Sequence, residues 1–557
     1  MGTGLSHDGS SCLLKDGELI VAIEKERISR KKHDGQNDFL SVRYCLEAAG
    51  ITLEDVSLVV QAANFEKDEI MKHSYQGARF FPQNCTIPFV SISHHLAHAY
   101  SAIGTCPFDE FNLLVVDGCG SFYFQCDDLA GTSVPADVQL VNLLEKDSFY
   151  HYEGGLLTPI FKDFSAFGGA NSTEHNNTPT TKHSIGGVYS VFSNYIFCNL
   201  DDVGKLMGLA PFGDRTKYND EIFDLREGRV FVKDEALKVL SQPSSGYEDF
   251  KARFSYFADL AAWVQKEVER AVLYVVNHRQ SLASSTRLCY AGGVALNAVA
   301  NARILRETSV QELYMEPAAA DNGLAIGCAY YGWLEVLKGA RKLHSGSTYL
   351  GRTYTENEIV AALDEVIATH PELKNKCTKE TDIAQKTAQL LSEGKVIGWY
   401  QRGAEFGPRA LGNRSILADG RIKGVRAFVN RDVKMREDFR PFAPSVIAED
   451  VHEYFEYGYD SPYMILVDKI RDRYKEEYGE VVHVDGSARV QTVTQSSNPL
   501  FYNLLNHFKQ LTGSSILLNT SFNKKGMPIV ETPTEALALF YTSKLDAVVI
   551  GDWLLVK

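Results

Sequence analysis

Two histidines four residues apart open the chemistry of this chain. In Ser93-His94-His95-Leu96-Ala97-His98 a helix would place His94 and His98 on one face, where both imidazoles reach a single ion. Asp117 closes the apolar run Leu113 to Val116 beside a glycine, and Asp321 precedes the apolar pattern Leu324 to Leu337. Two nitrogens and carboxylate oxygens form a credible metal site. Plainer roles stay open here: histidines that cap or pack, an Asp-Gly turn at 117–118, and Asp321 as a helix N-cap.

A second concentration of chemistry lies far downstream. Between Arg402 and Arg440 there are ten basic and five acidic residues in a chain of formal net charge −14. Such a local excess suits a concave site for a small polyanion, a nucleotide or an acyl phosphate, although a solvated basic face would look the same. Smaller features point the same way. Ser6-His7-Asp8-Gly9 is a polar turn able to face a cleft, and Glu24 to His33 is a cationic stretch close behind it. Paired glycines at 292–293, between a strand and a helix, allow backbone N–H groups to approach a nucleotide. Gly204 to Pro211 reads as a small-residue turn with one cation, and its glycine spacing is not that of a Walker loop.

Elements must hold these groups in place. Residues 10 to 24 read as two strands joined at Asp16-Gly17, a strong hairpin signal. A helix over 38–50, then strands at Leu58–Gln61, Phe89–Ile92 and Leu113–Val116 around the His-bearing helix, give the alternation of an α/β domain. Asp117 to Phe124 faintly echoes His7 to Leu14, as though one hairpin had been used twice. Residues 127 to 190, including Phe167 to Thr173, read as long loops able to form a lid or an acceptor pocket. A long amphipathic helix is expected between Phe254 and Val276, followed by a strand at Arg287–Tyr290. His344 to Ser347 reads as a linker, and a second domain follows with strands at Val396–Tyr400 and Ile516–Leu518 and a capped helix after Thr532.

The length of 557 residues calls for more than one domain. Composition is that of an ordinary globular protein, 45% hydrophobic and 23% charged, with no apolar run of membrane-spanning length. Ten dispersed cysteines with no C-x-x-C pair read as reduced, packed thiols, so a cytoplasmic enzyme is expected. The acidic balance argues against a general nucleic-acid coat.

Taken in order, Arg30 to His33, His94 to His98, Gly204 to Ala210, Gly292 to Asn297, Gly407 to Ser415 and Asn519 to Asn523 resemble the O-carbamoyltransferase family of antibiotic and nodulation-factor tailoring enzymes. The resemblance spans nearly the whole chain. It implies an α/β protein with an N-terminal actin-like ATPase fold over 1–342, similar to the tRNA threonylcarbamoyl transferase subunit. Residues 350–557 would form an α/β domain similar to threonylcarbamoyl-adenylate synthase. That rear domain would make carbamoyladenylate from ATP and carbamoyl phosphate, with Mg, and the front domain would transfer the carbamoyl group to a hydroxyl of a small natural-product acceptor.

By the same resemblance His94, His98, Asp117 and Asp321 hold iron, Fe(II), while the donor types also suit Zn or Mn. Lys32, Gly293 and Asn297 would contact the adenylate. Arg409, Lys434, Arg440, Arg489, Asn519 and Ser521 would bind ATP and carbamoyl phosphate, Lys434 and Arg440 stabilising the charge that grows during synthesis. His7 or Asp8 would take the acceptor proton. The segment before His7 is shorter than family members often carry, which bears on the acceptor. The resemblance implies no nucleic-acid or membrane partner and allows a homodimer. Two rivals are a tRNA-modifying threonylcarbamoyl transferase, which would need a basic surface, and a non-catalytic actin-like nucleotide sensor, which has no need of an acyl-phosphate site.

Overall fold

The computed structural model describes residues 1–35, 38–62, 86–132, 143–166 and 184–557. Their contacts fall into two compact units. One comprises Met1–Lys25 with Gly35–Ser345, the other Glu26–Asp34 with Gly346–Lys557.

The first unit is built twice over. Strands β1 (Gly2–Gly4), β2 (Ser10–Lys15), β3 (Glu18–Glu24), β4 (Val59–Ala62) and β5 (Phe89–Ile92) form a sheet in the order β3-β2-β1-β4-β5. In the second half come β6 (Phe111–Val116), β7 (Leu143–Glu153) and β8 (Leu156–Ala166), then a small separate hairpin of β9 (Phe223–Arg226) and β10 (Arg229–Val232), then β11 (Arg287–Ala291) and β12 (Glu312–Met315). Its sheet has the order β8-β7-β6-β11-β12. In both sheets the first strand pairs antiparallel with the second and parallel with the fourth. The echo between 7–14 and 117–124 therefore marks equivalent corners, the chain leaving β1 and the chain leaving β6, although the second hairpin begins only at Leu143.

Local chemistry explains these elements. The β2–β3 turn places Asp16 and Gly17 at φ 52° and 85°, as a two-residue hairpin turn requires. β6 is buried along its whole length, and its run of apolar side chains fits a strand flanked on both sides. The two crossover helices, His94–Thr105 after β5 and Leu324–Tyr331 after β12, occupy equivalent positions and pack directly on each other. Gly104 permits this, since a Cβ there would lie 2.0 Å from the Tyr330 ring. The helix expected after Phe254 runs over Phe254–Gln280.

Two expectations fail. Residues 127–190 are not loops throughout: β7 and β8 form a long antiparallel hairpin, and Ile185–Phe197 is a helix. The strand signal is masked because Glu145, Lys146, Lys162 and Asp163 interrupt the apolar alternation, yet all four are buried as ion pairs. Phe167 to Thr173 lies outside the described residues. The Gly204 to Pro211 turn is instead a helix over Val203–Leu209, with Lys205 paired to Asp202 at 2.7 Å rather than free for a ligand.

The second unit is one eight-stranded mixed sheet with helices. Its strands are β13 (Cys377–Lys379), β14 (Ile397–Tyr400), β15 (Arg414–Ala418), β16 (Ala443–Ile447), β19 (Gln491–Val493), β20 (Ile516–Ser521), β21 (Ala547–Ile550) and β22 (Trp553–Val556), with β17 (Val467–Lys469) and β18 (Ser487–Arg489) paired apart. The order is β13-β22-β21-β14-β15-β20-β16-β19. Helices Glu356–Thr369 and Pro533–Tyr541 begin in capping boxes, Thr355 with Glu358 and Thr532 with Glu535. Among the described residues no helix is long and apolar enough to cross a membrane.

Candidate active site

The doubled topology of the first unit brings four chain ends to one point. Asp117 leaves β6, His94 and His98 stand on the first turns of the helix after β5, and Asp321 stands in the turn that opens the helix after β12. Their ligating atoms all lie within 4.8 Å of one another. His94 Nε2 is 2.8 Å from Asp117 Oδ2, 3.1 Å from His98 Nε2 and 3.4 Å from Asp321 Oδ1. His98 Nε2 lies 3.4 Å from Asp117 Oδ2 and 3.9 Å from Asp321 Oδ1. Ligands about 2.1 Å from a common ion stand roughly 3.0–3.4 Å apart, so the four fit around one ion. All four residues are buried, and the donor set, two imidazoles and two carboxylates, suits a divalent transition metal.

The electrostatics agree. Burial opposes a charge on His94, but Asp321 and Asp117 outweigh it and lift its pKa to about 10. Asp117 is depressed although burial works against it, through the hydrogen bonds of His94 and His98. The site thus concentrates negative charge that protons or a cation must answer. Asp321 is the first residue of the turn Asp321–Gly323, capped by Ala320, and Gly323 stands at the N-cap of the helix Leu324–Tyr331, so Asp321 does not occupy the N-cap position of its plainer reading.

The glycines behind the site have a steric reason. Gly292 has φ 89°, and a Cβ there would sit 2.4 Å from the Val116 carbonyl oxygen. Gly293 donates its N–H to Asp117 Oδ1 at 3.2 Å, so this candidate adenylate contact already orients a carboxylate of the ion site. Asn297 caps the helix Ala298–Glu307: Oδ1 accepts from Ala300 N–H and Gln265 Nε2, and Nδ2 donates to Gln265 Oε1. His7 stands at the edge of the centre, its side chain 57% exposed, with Nδ1 3.1 Å from Asp321 Oδ2 and Nε2 3.4 Å from Asp8 Oδ2. Asp321 above all raises its pKa to about 10.

The second unit assembles a cationic group. Lys434 ends a π-helical turn, Val429–Lys434, and the chain then turns through Met435 at φ 53°. Its buried ammonium donates to the Ser521 carbonyl, to Asn523 Oδ1 at 2.8 Å and to Ser521 Oγ at 3.3 Å. Burial, followed by Arg436, Arg440 and Lys32, holds its pKa well below the usual lysine range. Burial and neighbouring guanidinium groups likewise depress Arg409, to about 10, as well as Arg436 and Arg489. Arg440 lies 3.8 Å from Glu437, which also takes Lys525 at 2.7 Å. Among the described residues Arg409 Nε, Arg489 Nε and Asn519 Oδ1 are buried without a hydrogen-bond partner. Buried cations that depress one another, with two guanidinium Nε–H donors left over, have the chemistry that suits an anion.

Glu405 holds the loop that carries Arg409. Its Oε1 accepts from the N–H groups of Leu411, Asn413 and Arg414. Asn519 Nδ2 donates to the carbonyl oxygen of Ala410, Ser445 Oγ and Gln491 Oε1, fixing the far side of the same loop. Lys32, exposed, belongs with this unit by contact, where it adds to the positive field on Lys434. Not every basic residue of the 402–440 stretch takes part. Arg414 is buried against the Tyr400 ring and its terminal nitrogens donate to carbonyls of Gln401, Arg402 and Asn413, Arg421 pairs with Asp419, and Arg431 pairs with Asp432. Sequence reasoning missed Arg436 as a member of the group. Its only distinguishing signal, place in the Lys434-Met435-Arg436 run, is shared with solvated cations.

Comparison with known proteins adds a further observation. The family model described as "Carbamoyltransferase N-terminus" matches residues 2–84 and 83–330, and that described as "Carbamoyltransferase C-terminus" matches 388–557. Nodulation protein NolNO of Sinorhizobium fredii is 32% identical over 99% of this chain and 79% of its own length. The 3'-hydroxymethylcephem-O-carbamoyltransferases of Streptomyces clavuligerus and Amycolatopsis lactamdurans are 27% and 26% identical, each over 98% of this chain and 96% and 97% of their own lengths.

Proposed function

Because the chain belongs to the carbamoyltransferase family, we propose that it is an ATP-dependent O-carbamoyltransferase with its two half-reactions in its two units. The second unit makes carbamoyladenylate: water cleaves carbamoyl phosphate to carbamate and phosphate, and a carbamate oxygen then attacks the α-phosphate of ATP and expels pyrophosphate. Arg409, Lys434, Arg440 and Arg489 hold the phosphates and take up the charge that develops on them. Asn519 and Ser521 line the same strand end and position Lys434 and the Arg409 loop.

The first unit transfers the carbamoyl group to an acceptor hydroxyl, with release of AMP. We take this unit as an actin-like ATPase fold, a reading supported by its duplicated five-stranded sheets. His94, His98, Asp117 and Asp321 would hold the metal, which when bound supplies Lewis acidity to the carbamoyl carbonyl. The backbone around Gly293 orients Asp117, and His7 or Asp8 takes the acceptor proton at the exposed side of the centre. Fe(II) is the ion the resemblance favours.

The observation that carries this reading is the buried cationic group of the second unit, because an actin-like nucleotide sensor has no need of a separate acyl-phosphate site. The relatives that carbamoylate hydroxymethylcephems favour a small-molecule acceptor over tRNA. Purified protein given ATP and carbamoyl phosphate without acceptor should release pyrophosphate and phosphate. Failure to release pyrophosphate from metal-replete protein would overturn the reading.

A further inference from the structure

We propose that the buried ion pair of Glu145 and Lys162 is the positioning element of the ion centre. It locks the first turn of the His94–Thr105 helix to the loop that leaves Asp117, and so sets the distance from the imidazoles to that carboxylate. The inference rests on reading the four ligands as an ion centre.

The helix His94–Thr105 lacks a cap of its own, for the Ser93 side chain makes no capping hydrogen bond. Its leading N–H groups are satisfied from elsewhere. His94 N–H is accepted by Ser121 Oγ at 2.9 Å, and His95 N–H by Glu145 Oε2 at 3.1 Å. The same Oε2 accepts Ser121 N–H at 2.9 Å, and the backbones of Glu145, Gly120 and Ser121 bond to each other in both directions. One carboxylate oxygen thus joins the residue after one ligand, His94, to a residue four beyond another, Asp117. The joint is tight: a Cβ on Gly120 would lie 2.6 Å from Glu145 Oε2 and 2.8 Å from His95 Cδ2. A negative group at a helix N-terminus is also favoured by the helix dipole.

Lys162 keeps that carboxylate ionised and in place. Its ammonium donates to Glu145 Oε1 and, at 2.9 Å, to Asp128 Oδ1, while Asp128 Oδ2 accepts from the Tyr150 hydroxyl. Cys126, Asp128 and Glu145 are close enough to suggest a second metal site, but the Lys162 ammonium already serves the two carboxylates there. The hairpin contains its own control. The adjacent residues Lys146 and Asp163 form another buried pair at 2.6 Å, and their side chains meet Val230 and Arg229 of the β9–β10 hairpin instead of the His94–Thr105 helix.

Cobalt(II) titration of the full-length, metal-stripped protein tests this, reading dissociation constant and visible ligand-field band alongside the melting temperature. Glu145→Gln should weaken Co(II) binding about 10-fold or more and alter the band, the range seen for partners that orient metal ligands. Asp163→Asn should lower the melting temperature while leaving affinity within about twofold and the band unchanged. Ser121→Ala, which removes the acceptor of His94 N–H without touching a charge, should weaken Co(II) in the same direction as Glu145→Gln and decides the matter if Glu145→Gln does not fold. Wild-type affinity and band in Ser121→Ala or Glu145→Gln, or an equal loss in Asp163→Asn, would overturn the proposal. A wild-type protein that takes up no Co(II) would overturn the ion centre itself, and the positioning role with it.

Discussion

Gly327 lies against Ala97 so closely that a Cβ on it would stand 1.7 Å from the Ala97 carbonyl oxygen. The two crossover helices of the first unit therefore meet backbone to backbone, and the ligands they carry, His94 and His98 on one and Asp321 just ahead of the other, are brought together by that contact.

Gly327→Ala must push these helices apart, because the obstacle is main chain and has no rotamer to yield. It should cost about 3 kcal/mol or more in stability and weaken divalent-metal binding together with it. Chemical denaturation and a metal titration on the same sample check both.

Glu316 is fully buried, and burial, with Glu24 adding to it, raises its pKa to about 8. The folded state then binds a proton that the unfolded chain releases near pH 4.5, so stability falls as pH rises between 4.5 and 8 and the contribution is gone above 8. The limiting slope is about 1.4 kcal/mol per pH unit. Glu316→Gln, which cannot ionise, should flatten that part of the stability profile. Urea unfolding at a series of pH values measures the slope.

Lys434 is depressed in the opposite sense, a buried cation among cations. An anion bound beside Lys434 restores its proton, so anion binding takes up a proton and weakens as pH rises from the depressed value toward 10.5. Pyrophosphate affinity measured by calorimetry should fall across that interval in the wild type, with proton uptake. Lys434→Met should bind more weakly throughout and lose this part of the pH dependence.

How much of this was legible in the sequence depends on what hides each signal. His94 and His98 could be paired from their spacing because a helix makes i and i+4 neighbours, and Asp16-Gly17 announced its hairpin through the backbone geometry that only such residues adopt readily. The β7–β8 hairpin stayed hidden because charges at Glu145, Lys146, Lys162 and Asp163 normally mean solvent, and only a fold can show that each faces an opposite charge. Asn297 shows a related ambiguity: an Asn after a glycine turn suits a ligand as well as a helix cap, and the structure shows the cap together with hydrogen bonds to Gln265. Arg409 and Arg440 carried a polyanion signal as part of the 402–440 basic stretch, whereas Arg414, within the same stretch, packs on Tyr400, and Arg489 entered only through the family resemblance.

The division of labour between the units is the central claim, and acceptor-free pyrophosphate release from ATP and carbamoyl phosphate in two variants tests it most directly. His98→Ala should retain near wild-type release, because it touches only the ion centre. Arg440→Ala should lose at least about 10-fold, since it removes a charge-bearing donor to the phosphates. Equal loss in both variants, or loss in His98→Ala alone, would contradict the account.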